Sequence, residues 1–267
     1  MRRVVGGLLL GLYLLTAVAA EDGTLVFGVV NTQSPVKTAE RWNPILRYLT
    51  EATGLKFQLK MGATVQETDA MMARGDFDLV FTNHNFLKEY DGIYRVIARW
   101  AGPPIYGVIA VDVDSPVKSL RDLSGRRVAF PSKSAFVGYA VPMVALQSAG
   151  AAVEPVFAGN QEGALAQLKA GQVEAAAVNS RFLTQYAAQQ DLRYREIFTS
   201  EGYADIPVIV HPRVAKPDVA AIRAALLGMK RDPRAASALE AASCAGFEAA
   251  SDRDYDNARR IYAKIHE

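Results

Sequence analysis

The hydrophobic pattern of the chain switches period again and again. TLVFGVV (24–30) is a short apolar run of β-formers, and KFQLKMG (56–62) alternates apolar and polar positions like a half-buried strand. Between them, ERWNPILRYLTEATG (40–54) carries Trp42, Ile45, Leu46 and Leu49 at helical spacing and stops at Gly54. TVQETDAMMARG (64–75) reads as a helix ended by Gly75, and FDLVFT (77–82) as a strand. This β-α-β-α-β order predicts a mainly parallel sheet with helices on both faces.

A second unit repeats the scheme. YGVIAVDVD (106–114) is a strand leading into a turn and short helix, SPVKSLRDLSG, and RRVAFP (126–131) is a strand. AFVGYAVPMVALQSAG is a helix stopped at Gly150 and kinked where Pro142 removes a backbone donor. EPVFAG is a strand, QEGALAQLKAG a helix, and VEAAAVNS (173–180) a strand. DIPVIVHP (205–212) is a strand leaving the unit, and residues 217–266 are helical with breaks near RDP and GFEAASD.

The simplest assembly is an α/β protein of two lobes joined by crossover strands near 106–114 and 205–212. Lobe 1 is then residues 21–110 plus 209–267, and lobe 2 is residues 111–208. Ligands of open α/β sheets sit beyond the carboxyl ends of the strands. That rule nominates the loops 31–37, 82–87, 131–137, 158–162 and 179–182, which two facing lobes would turn into one cleft.

Composition changes this picture at the N-terminus. Basic MRR, the apolar run VVGGLLLGLYLLTAV and the small-residue AVA (17–19) have the layout of a secretory signal peptide, assigned to residues 1–20. Its apolar run is too short for a bilayer span, which takes roughly 20 residues. The 267-residue chain has a formal net charge of +2, and Arg2 and Arg3 belong to the leader. The mature protein is therefore formally neutral, with no general pull toward nucleic acid or anionic lipid. Cys244 is the only cysteine, so no intrachain disulfide supports the exported fold, and the thiol reads as a buried small hydrophobe.

Catalytic chemistry has little foothold. The sequence holds no Gly-x-Ser-x-Gly elbow, no P-loop and no metal-spaced His/Glu cluster. Asp76 and Asp78 read as a solvated helix-to-strand corner. His84 lies in a nominated loop, but His211 and His266 do not, too few for a metal site. No enzyme activity, metal or cofactor is expected.

RWNPILRYLTEATG, ARGDFDLVFT, DSPVKSLRDLSGRRVAFP, GYAVP, FAGNQEGALAQLKAGQVEAAAVNS and GFEAASDRDYDNARRIYAKI occur in this order over most of the mature chain. In these segments the sequence resembles the periplasmic phosphonate/phosphite/phosphate-binding (PhnD-like) proteins, the solute receptors of ABC importers. The resemblance implies a type II-like two-lobe binding protein, a monomer in the periplasm that closes on a small molecule and docks on an inner-membrane transporter. A ligand-sensing receptor docking on a histidine kinase is the alternative partner arrangement.

The resemblance breaks at the oxyanion site. The family's Ser-Thr-Ser-type cluster precedes a Gly-Tyr; aligned on Gly138 and Tyr139, those positions hold Ala135, Phe136 and Val137. The family's histidine in the next loop falls on Gln161. Ser132 and Ser134 lie just outside the cluster, and Ser134 doubles as a helix N-cap. These replacements favour a neutral or largely apolar ligand, a lipid or sterol, over a tetrahedral oxyanion, with a phosphonate or phosphate importer as the alternative. Phe86, Tyr106, Tyr139 and Phe136 or Val137 would wall such a site, and Thr82, Asn83, His84, Gln161 and Asn179 would supply its polar contacts.

Overall fold

The computed structural model of the chain describes residues 23–29, 34–82 and 92–265. The first lobe opens with β1 (Thr24–Val29), α1 (Pro35–Thr53), β2 (Lys56–Lys60), α2 (Val65–Ala73) and β3 (Leu79–Phe81), the alternation read from the sequence. α1 starts a turn and more before its apolar stripe does. Ser34 accepts a hydrogen bond from the Lys37 amide and Pro35 fills the first turn, a start set by capping. Gly54 ends it in the left-handed region, at φ 73°. Trp42, Ile45, Leu46 and Leu49 are all buried. β4 (Arg95–Trp100) follows, a strand missing from the sequence reading.

The second lobe contains β5 (Gly107–Asp112), β6 (Arg127–Phe130), a π-helical turn over Phe136–Ala140, α3 (Val141–Ser148), β7 (Glu154–Phe157), α4 (Gln161–Lys169), β8 (Ala175–Asn179), α5 (Ser180–Gln190) and β9 (Tyr194–Thr199). The chain then returns through β10 (Pro207–Val210), α6 (Lys216–Gly228), α7 (Ala236–Ala241), β11 (Phe247–Glu248) and α8 (Asp256–Ile265).

Two sheets result, ordered β11-β4-β10-β3-β1-β2 and β7-β6-β8-β5-β9. β1 pairs in parallel with β2 and β3, and β6 with β7 and β8. β10 runs antiparallel to β3 and β4, and β5 antiparallel to β8 and β9. The reason is topological. A strand arriving from the other lobe enters its sheet at the cleft end, where the parallel strands finish, so it must run against them.

This moves the crossovers. Residues 107–112 are a strand of the second sheet and 207–210 a strand of the first. The sequence grouping put Gly107–Ala110 in lobe 1 and Pro207–Val208 in lobe 2, and the sheets reverse both. The connecting chains lie beside each other just outside these strands. Ile105 and Tyr203 exchange backbone hydrogen bonds of 2.9 Å in each direction.

Each sheet carries apolar side chains on both faces. Trp42, Ile45 and Leu49 of α1 pack with Phe27, Leu79 and Ile222 on one side of the first sheet. Its other side, through Phe77, Val80 and Ile209, continues without a break into Phe136, Val137 and Val141 of the second lobe. The C-terminal segment closes this shared core. Asp252 accepts from the Val96 amide and Tyr255 donates to the Asp205 carbonyl, fixing the start of α8 to the first lobe. α8 itself then lies against α3 and the π turn. The assignment of the whole tail to lobe 1 is thus corrected for α8, because its buried Ala258 and Tyr262 are needed to cover Phe136.

Asp78 also departs from expectation. It is no solvated corner: Oδ2 accepts from the Val26 amide at 2.7 Å, and Oδ1 pairs with Arg213 Nε at 2.6 Å. Asp76 pairs separately, with Arg74. Asp78 thus ties β1 and the segment after β10 to the start of β3, whereas the Asp76–Arg74 pair is local and exposed.

Candidate functional site

Between the lobes lies a cleft of about 780 Å³. Helix starts from both sides surround it. From the first lobe come Ser34, the cap of α1, and Thr64, the cap of α2, which accepts from the Glu67 amide at 3.2 Å. From the second comes Asn160, the cap of α4, which accepts from the Gly163 amide at 2.8 Å. A helix N-terminus carries unsatisfied amides and the positive end of the dipole, so each such start favours negative charge.

Two lysines face the same space from opposite lobes, Lys37 from α1 and Lys133 from the loop after β6. The Lys133 ammonium also stands 5.5 Å from the Phe157 ring centroid. Ser132 and Ser134 flank Lys133, with their hydroxyls 3.3 Å apart. Asp69 and Glu162 add two carboxylates, so lysines and acids balance in number. A site of this charge suits one small anion, or an anion that also carries a cation, better than a polyanion.

The loop from 131 to 142 gets its shape from the π turn. No side chain caps its start at Ala135, and the Ala140 amide reaches back to the Ala135 carbonyl. Ser134 is therefore not the cap expected of it; its carbonyl accepts from the Tyr262 hydroxyl at 3.1 Å, and its side chain stays at the cleft. Pro142 falls in the first turn of α3, so the expected kink takes the form of the π turn before it. The turn pushes the Val137 carbonyl against β5, where a Cβ on Gly107 would lie 2.5 Å from that oxygen. Only glycine admits so close an approach.

Beyond Phe182 the cleft continues into a second compartment of about 330 Å³. Its lobe 1 side is aromatic: Trp42, Phe81 and Trp100 stand with ring centroids 4.6 to 6.0 Å apart. Arg41 and Arg181 bring guanidinium groups. Arg181 pairs with Asp205 at 2.5 Å, joining α5 to a connecting chain. Burial pushes the Arg41 pKa down, and Arg41 donates to the Ala242 carbonyl at 2.7 Å.

The sequence-predicted site residues scatter over this arrangement. Ser134 lines the first compartment. Gln161 and Asn179 line the second, and Gln161 Oε1 accepts from the Asn179 amide at 2.7 Å. Asn83, His84 and Phe86 lie outside the described residues. Thr82 is buried at the end of β3, its amide bonded to the Pro207 carbonyl. Tyr106 borders neither compartment; its ring neighbours Gly202, and its carbonyl accepts from the Ser180 amide. Tyr139 packs behind the cleft, edge-on to Phe130 and Phe157.

Phe136 and Val137 are corrected. They do not wall the cleft but are buried in the core shared by the lobes, where Phe136 meets Tyr203 edge-on at 4.8 Å and Tyr262 at 5.4 Å. The apolar run fills the core shared by the lobes, and the hydroxyls this loop leaves at the cleft are those of Ser132 and Ser134. Ser34, Lys37, Lys133 and Asn160 lie in the nominated loops 31–37, 131–137 and 158–162, though none of them was singled out as a site residue, and Thr64 lies outside those loops. Ser, Thr or Asn immediately before a helix, at 34, 64 and 160, was the further signal.

Residues 27–255 match the sequence profile of a family described as ABC transporter, phosphonate, periplasmic substrate-binding protein. The chain belongs to this family. No curated protein matches the sequence. Among solved structures, similar folds recur at low identity. PhnD1 from Prochlorococcus marinus, in complex with methylphosphonate, superposes with a TM-score of 0.78 at 16% identity, over 91% of this chain and 98% of that one. XAC2383 from Xanthomonas citri, bound to ATP, gives 0.78 at 17% identity over 91% and 97%. A binding protein component of an ABC phosphonate transporter from Pseudomonas aeruginosa, PA3383, gives 0.79 at 14% identity over 92% and 87%. These likenesses identify a two-lobe periplasmic binding fold, and the family is one of substrate carriers, not enzymes.

Proposed function

We propose that this phosphonate-binding family member is the periplasmic receptor of an ABC importer for a small oxyanion of the phosphonate or phosphate class. One observation carries the reading. Helix N-termini α1, α2 and α4 and the facing pair Lys37 and Lys133 converge from both lobes on one cleft. Helix N-termini bind anions through backbone amides and dipole, without needing a dedicated hydroxyl cluster. The structurally similar PhnD1 is bound to methylphosphonate, and XAC2383 to ATP or to chloride, each an anion.

The expectation of a lipid or sterol rested on the loss of the family's hydroxyl cluster and histidine, with Phe136 or Val137 as the apolar wall. Phe136 and Val137 are buried in the core shared by the lobes, which removes that wall, and Ser132, Ser134 and Lys133 supply polar groups at the cleft in place of the lost cluster. An anion held by lysines of both lobes also supplies a reason to close, since only the closed state makes both sets of contacts. A charge-assisted hydrogen bond contributes roughly 1.5–3 kcal/mol, so Lys133→Ala should weaken the anion about tenfold or more. Calorimetry with methylphosphonate and inorganic phosphate tests this. Micromolar binding, weakened by Lys133→Ala or Lys37→Ala, is expected. Absence of heat with either anion, or affinities indifferent to both lysines, would overturn the reading.

A further inference from the structure

Resting on that oxyanion reading, we propose that the second compartment holds the organic substituent of the ligand. The substrate class is then a phosphonate or phosphate ester whose substituent is a planar ring bearing hydrogen-bond acceptors. The compartments are arranged for one continuous ligand. Phe182 borders both, and at the start of α4 consecutive residues alternate between them: Asn160 and Glu162 face the first, Gln161 the second. An anionic head among the lysines therefore has a route for its substituent past Phe182.

The walls select the shape of the substituent. Trp100 on the lobe 1 side and Phe182 on the lobe 2 side offer ring surfaces from opposite lobes, so a flat group can lie between them when the lobes meet. The Arg41 guanidinium lies over the Trp100 ring, its carbon 5.5 Å from the centroid, so on that face a flat group meets a cationic plane that itself stacks on rings. A linear alkyl tail would use none of these geometries.

The edge groups select its chemistry. Gln161 and Asn179 each place their side-chain oxygen on a backbone amide, at 2.7 Å to Asn179 and 2.9 Å to Arg181. Their amide NH2 groups are thereby left as donors. Arg41 and Arg181 are donors with no acceptor capacity, and Asp205 is already paired to Arg181. A compartment walled by rings and edged mainly with donors matches a ring with acceptor oxygens or nitrogens.

The test uses the full mature protein and three probes: methylphosphonate, 4-carboxyphenylphosphonate, and benzoate as a ring without the head. The chain's two tryptophans are Trp42 and Trp100, both in this compartment, so their emission reports its occupancy directly. The ring-bearing phosphonate should bind at least about tenfold tighter than methylphosphonate and shift tryptophan emission. Gln185 is exposed on α5 and borders only the second compartment. Gln185→Phe should remove the gain and leave methylphosphonate affinity unchanged. Equal affinities with unchanged emission would overturn this inference alone. Failure of both phosphonates would overturn the oxyanion reading and this inference with it. Binding of benzoate alone as tightly as the ring-bearing phosphonate would overturn the single continuous ligand.

Discussion

Phe136 shows how a residue can be read correctly as unusual and wrongly as functional. An apolar residue where a family keeps hydroxyls suggests a changed ligand, but burial decides otherwise: its ring is 2% exposed between Tyr203 and Tyr262. Phe136→Ala should cost about 3–5 kcal/mol of stability, as for other large-to-small core changes. Urea unfolding would show the loss, and the residual folded protein should still bind methylphosphonate. His211 gives a second residue-scale prediction. Its Nδ1 accepts from the Arg213 amide at 3.1 Å, and burial, then the nearby Arg213 charge, hold its pKa below the ordinary 6.5. A depressed folded pKa means the neutral ring's contribution is complete above about pH 6.5 and is lost as pH falls through the lowered value. The urea midpoint should drop on acidification through this range, and His211→Asn should flatten that drop. An unchanged pH profile in the variant would assign the effect elsewhere.

At the scale of elements, legibility followed the strength of the local signal. α1 was readable from Trp42, Ile45, Leu46 and Leu49, and β1, β2 and β3 from their apolar patterns, because burial on a sheet or helix face writes a period into the chain. β9 was not. Tyr194–Thr199 has no fully buried position at its sheet edge, only half-buried and exposed ones without period-2 alternation, which leaves no clear apolar face. The π turn was equally invisible, since Phe136–Ala140 has the composition of an ordinary helix and its extra width is set by packing against β5. Gly107 is the residue that admits it. Gly107→Ala would drive a Cβ against the Val137 carbonyl and should cost about 1–3 kcal/mol, read as a lowered melting temperature. A neutral Gly107→Ala would mean that the turn has room to relax.

For the whole molecule, the two-lobe plan was legible because the βα alternation occurs twice, with a chain segment returning to the first unit. The cleft was legible in part, since the strand-end rule nominated the loops 31–37, 131–137 and 158–162 that meet there. Ser34, Thr64 and Asn160 are ordinary caps in sequence and become one anion-favouring surface only when the lobes face each other. α8 was misplaced for a related reason: its apolar stripe declares that it is buried, but not against which lobe. On the proposed reading one small oxyanion is held by both lobes at once, and a crystal structure of the protein with methylphosphonate would decide it. Phosphonyl oxygens are expected within hydrogen-bond reach of Ser132, Lys133 or Ser134 on one side and of Ser34, Lys37 or Thr64 on the other, with the lobes drawn together. A phosphonate bound to one lobe only, or outside this cleft, would contradict it.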